Sequence, residues 1–144
     1  MFFKKNLLSY LQISLYFIPL SLIIGSLVVN INLIFFLLLS TIYIIQNNLK
    51  IELDKTNISL FLFFCTLILS SFLNIEVIGL ENFIKSFFLL KFFLLFILLG
   101  VLIKNNKINL NIFFKISLIL ILFVSIDVII QFIFGKNLLG FSPH

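Results

Sequence analysis

Two ionisable side chains, Lys91 and Asp127, lie deep inside long apolar runs of this sequence. A charge at the centre of a bilayer costs roughly 2.5–3.5 kcal/mol on insertion scales, so such a residue points to a partner or a task. Gln131 follows Asp127 by one helical turn, which puts a carboxylate and a carboxamide on one helix face. Together with the Lys91 ammonium they would line the outer mouth of a polar cavity. A structural ion pair, or side chains snorkelling to the interface, would use the same residues without any chemistry. No Gly-rich phosphate loop, metal-ligand cluster or nucleophile triad is readable elsewhere. The single histidine, His144, is the last residue. No catalytic residue, metal or cofactor is therefore expected from the residues themselves.

The polar positions continue past Gln131. Asp127 is followed by Gln131 and Phe132, then by Gly135, Asn137, Gly140 and Phe141. This order and spacing resembles a segment of the O-antigen ligase/polymerase superfamily of bacterial inner-membrane proteins. The resemblance implies a polytopic glycosyltransferase acting at the periplasmic face on undecaprenyl-pyrophosphate-linked glycans. Ligases of that superfamily transfer the glycan to lipid A–core, and polymerases extend its repeat units in lipopolysaccharide or surface-polysaccharide assembly. Their catalytic set, rich in Arg and His, belongs to a large periplasmic loop and later spans. This sequence has no Arg at all, so no catalytic residue carries over. The expectation is an N-terminal portion of such a protein, inactive alone, with Asp127, Gln131, Gly135, Asn137, Gly140 and Lys91 as motif or cavity residues. The alternative is a small non-catalytic membrane subunit, or a transporter component that moves ions by a Lys91–Asp127 pair. A transporter would show an internal repeat or paired broken helices, and neither is readable.

Composition sets the class. Of 144 residues, 62% are hydrophobic and 10% charged, with a mean hydropathy of +1.32. Soluble domains are about 45–50% apolar and about 25% charged. The chain is thus expected to be an all-α, multi-pass membrane protein whose first partner is the lipid bilayer. Phe alone contributes 21 residues, and Ala, Arg and Trp are absent. Phe, Ile, Asn and Lys share AT-rich codons, which accounts for that bias without invoking function. The net charge of +5 comes mostly from lysines between apolar runs, where they orient a membrane protein rather than bind nucleic acid. Cys65 is the only cysteine, so no intrachain disulfide can form. Oligomeric state is not readable.

The elements that must position Asp127 and Lys91 follow from the apolar runs. Each helical span needs about 20 apolar residues. Five spans are predicted, over residues 7–29, 33–49, 58–73, 83–103 and 112–134, in one transmembrane domain. The first resembles a signal peptide in its Lys4–Lys5 start, but it runs on past Pro19 without a small-residue cleavage site. Asn30 and Asn32 are read as a hairpin between spans one and two. Ser21 and Gly25, and likewise Thr66 and Ser70, have the spacing that lets helices approach closely. Residues 47–57, with Glu52 and Asp54, read as a solvated linker of mixed charge, and 74–82 as a loop or an interfacial turn.

Lys4, Lys5, Lys50, Lys55, Lys104 and Lys107 all fall on one side of this arrangement, against Lys85 and Lys136 on the other. Positive charge stays cytoplasmic, so the N-terminus is expected inside and the C-terminus outside. Spans four and five, joined by a short loop, are expected to pack together and bring Lys91 to Asp127.

Overall fold

The computed structural model describes residues 2–52 and 54–135. Among these residues six helices are formed: α1 (Phe2–Ile24), α2 (Ser26–Gln46), α3 (Lys55–Leu73), α4 (Ile75–Phe88), α5 (Leu90–Lys104) and α6 (Leu110–Phe134). There is no strand among the described residues. Leu89 keeps helical dihedrals between α4 and α5, so the two run on as one apolar segment. Among the described residues, five segments are long and apolar enough to cross a bilayer: Asn6–Ile24, Ser26–Gln46, Lys55–Leu73, Gly79–Lys104 and Leu110–Phe134. The chain is a multi-pass helical membrane protein.

The first hairpin turns at Gly25, not at Asn30–Asn32. Gly25 has φ 141°, a conformation that glycine adopts freely and a residue with a Cβ does not. Its N–H still bonds Ser21 O at 3.1 Å, and its own carbonyl accepts from Val29 N at 3.1 Å, so the chain reverses with few orphaned backbone groups. Ser21 is fully buried. Asn32 is buried inside α2, where it binds Ser14 of α1. Its polarity reads as a loop in the sequence because the residue that satisfies it is 18 positions away.

Hydroxyls inside the spans bond backward to their own helices. Ser40 Oγ donates to Phe36 O at 2.7 Å, Thr41 Oγ1 to Leu37 O at 2.8 Å, and Ser117 Oγ to Phe113 O at 2.9 Å. This removes the cost of a bare hydroxyl in hydrocarbon.

Asparagines end three of the helices. The side-chain amides of Asn47, Asn74 and Asn105 each donate at 2.8 Å to a carbonyl four residues back. After two of them the chain takes a left-handed step, at Asn48 (φ 50°) and Asn106 (φ 53°). Leu49 N then reaches Ile44 O, and Lys107 N reaches Leu102 O. Both are Schellman closures with Asn in the place usually held by Gly. The two loops built this way lie at the same end of the bundle.

The core joins α1, α2 and α5. Leu11 and Leu15 pack with Phe36, Tyr43 and Ile44, and with Leu98, Val101, Leu102 and Ile108. α3 lies along α4 and α5 through Phe72 on Phe83, and Phe61 and Phe64 on Phe93. Residues 75–78 form a single turn before Gly79 (φ 76°) redirects the chain into the fourth span.

α6 packs on α1, and α5 on α2, α3 and α4. The expected contact between α5 and α6 is not formed. The physical reason lies in residues 105–109, which are tied to α1. Gln12 Nε2 donates to Lys107 O at 2.7 Å, and the Tyr16 hydroxyl lies 3.4 Å from Asn109 N and O. With Ile108 buried against the core, this loop carries the chain past the neighbour of α5 before α6 begins.

Candidate functional site

Asp127 and Gln131 both lie on the last turns of α6, one turn apart and half-buried, as their spacing requires. Gly135 ends the helix in the left-handed conformation, φ 68°, with its N–H bonded to Gln131 O at 2.9 Å. That glycine is therefore a C-cap, which explains its place four residues after Gln131. Phe132, next to Gln131, is 90% exposed. It points outward, away from the helix packing. Asn137, Gly140 and Phe141 lie outside the described residues.

Lys91 is elsewhere. Its ammonium donates to Asn30 Oδ1 of α2 and stands 5.2 Å from the centroid of the Phe92 ring. An amide oxygen and a ring face both attract a cation, the latter through its quadrupole. They replace the carboxylate expected to neutralise it. Since α5 and α6 do not pack on each other, the structure does not bring Lys91 to Asp127.

Comparison with protein-family models, with curated proteins and with solved structures returned no match.

A second polar site stands at the end of the bundle that carries the asparagine loops. Lys104 Nζ, at the last residue of α5, bonds Glu52 Oε2 at 3.1 Å and Asp54 Oδ2 at 3.0 Å. This ties the loop between α2 and α3 to the fourth span. Asn57 Nδ2 donates to Glu52 O at 2.9 Å and orders the same loop. The three charged side chains are 54–66% exposed, so water screens their attraction and geometry is their main product. Next to them opens a cavity of about 600 Å³. Its rim carries Lys50, Glu52, Asp54 and Lys104, and its floor Phe96, Ile97 and Gly100.

In the sequence, residues 47–57 have the pattern of a solvated linker only, because the partner of Glu52 and Asp54 lies 52 and 50 residues on. One signal was present: Lys104 directly follows a span, on the side to which the linker must also return. Among the described residues, no three His, Cys, Asp or Glu side chains converge to hold a metal ion.

Proposed function

We propose that this chain is a bacterial inner-membrane protein of surface-polysaccharide assembly, whose polar face on α6 meets a polyprenyl-pyrophosphate-linked glycan. The reading rests on one arrangement: Asp127 and Gln131 on a common face, closed by the Gly135 cap, in the order and spacing of the O-antigen ligase/polymerase segment. A carboxylate and a carboxamide one turn apart suit sugar hydroxyls, since one accepts hydrogen bonds and the other both accepts and donates. The neighbouring apolar surface of α6 suits the polyprenyl chain. The lysine-rich ends at Lys50, Lys55, Lys104 and Lys107 support a cytoplasmic location for the opposite end of the bundle. The end of α6 is then exoplasmic. Binding and presentation of the lipid-linked glycan is the role assigned, without transfer chemistry.

Photolabelling tests this. Membrane vesicles containing the chain are irradiated with a diazirine-bearing polyprenyl-pyrophosphate glycan, and the adducts mapped by peptide mass spectrometry. Adducts on residues 126–135, lost in Asp127→Asn/Gln131→Leu, are expected. Equal labelling by the polyprenol without its glycan would overturn the reading.

A further inference from the structure

The cavity beside Lys104 has the layout of a site for a membrane amphiphile. Its floor belongs to the last turns of the fourth span, where Phe96, Ile97, Gly100 and Val101 line it. Phe96 lies eight residues before Lys104, about 12 Å deeper along the helix. The rim is polar and stands at the end of the span, where head groups lie. Apolar depth and a charged mouth are thus stacked along the membrane normal.

Charge on the rim is balanced and of both signs, with Glu52 and Asp54 against Lys104 and Lys50. Glu52 and Asp54 share one ammonium, that of Lys104, and each gives it a single oxygen, Oε2 and Oδ2. The pair of carboxylates accepts up to about eight hydrogen bonds. Lys104 occupies one oxygen of each, so the remaining lone pairs can accept from a second ammonium. Lys50, also on the rim, supplies a cation for a phosphate. Gly100 leaves the floor open, since a Cβ built there would meet no atom within 4 Å.

We propose that this cavity binds an aminophospholipid, with its ammonium at Glu52 and Asp54, its phosphate toward Lys50, and an acyl chain descending over Gly100. A soluble ammonium compound shares the head-group chemistry, but it leaves the apolar floor empty.

The full-length chain is tested in vesicles of equal phosphatidylethanolamine and phosphatidylglycerol, with detergent extraction and quantitation of retained lipid by mass spectrometry. The ethanolamine lipid is expected in excess by a factor of about two to five, the range supplied by one exposed ion pair. Glu52→Gln/Asp54→Asn should abolish that preference. Gly100→Leu should lower retention of both lipids while helical content, read by circular dichroism, stays unchanged. Equal retention of the two lipids by the unaltered chain overturns the proposal without reference to any variant. A preference that survives Glu52→Gln/Asp54→Asn overturns it too. Displacement by soluble glycerophosphoethanolamine at the same concentration would show that no acyl chain is read.

Discussion

Ser14 and Asn32 hold α1 to α2 by reciprocal hydrogen bonds: Ser14 Oγ donates to Asn32 Oδ1 at 2.9 Å, and Asn32 Nδ2 donates to Ser14 O at 3.0 Å. Both residues are buried, and bilayer hydrocarbon offers neither of them a substitute partner. Interhelical bonds of this kind average about 0.6 kcal/mol and reach about 1.7 kcal/mol. Asn32→Leu should therefore lower stability by about 1–2 kcal/mol, read by unfolding in mixed micelles. Ser14→Ala should cost less, because Asn32 Nδ2 bonds the backbone of residue 14 and keeps that partner. Equal losses from the two variants would mean that the side-chain bond, not the backbone one, dominates.

Gly25 and Gly100 should respond oppositely to alanine. At φ 141° a Cβ is strained although nothing lies within 4 Å of it. Gly25→Ala is expected to destabilise by about 1–3 kcal/mol. Gly100 is helical with open space around it, so Gly100→Ala should stabilise by about 0.5–1 kcal/mol. The same micelle assay compares both, and a stabilised Gly25→Ala would show that the turn lies elsewhere.

Lys91 and Asn30 should be energetically coupled, and Lys91 and Asp127 should not. Double-mutant cycles with Lys91→Met, Asn30→Leu and Asp127→Leu separate the two cases. A coupling on the order of 1 kcal/mol is expected for the first pair. Simple additivity is expected for the second. Coupling confined to Lys91 and Asp127 would contradict the packing of α6 on α1.

Reporter fusions after Asn48, Asn82 and Asn106 test orientation. Cytoplasmic activity is expected at Asn48 and Asn106, where Lys50, Lys55, Lys104 and Lys107 gather. At Asn82 the reporter should be active only outside. Lys85 there is paired with Glu81 at 2.7 Å, which leaves little net positive charge to hold that end of the fourth span inside. Cytoplasmic activity at Asn82 would invert the proposed topology.

Much of the architecture is legible in the chain itself. Uninterrupted apolar stretches gave helical spans because backbone groups in hydrocarbon must bond within their own segment. The pairing of Asp127 with Gln131 on one face followed from helical spacing alone. The Asn47–Asn48 and Asn105–Asn106 doublets also carried a local signal: a side-chain amide for an orphan carbonyl, then a residue tolerant of positive φ.

Local pattern misled where a polar residue was satisfied from a distance. Asn30 and Asn32 interrupt the hydropathy as a loop would, yet their partners are Lys91 and Ser14 on other helices. Glu52 and Asp54 look like solvent-facing charges until Lys104 arrives beside them. The sequence by itself determined the number of spans and the faces they carry, since length, period and polarity are properties of each segment. Only the tertiary structure decided which helices are neighbours. The loop after α5 is short enough to allow α6 beside α5, but Gln12 and Tyr16 of α1 bind that loop at Lys107 and Asn109. Those contacts join residues more than ninety positions apart, and no periodicity within a span encodes such a choice.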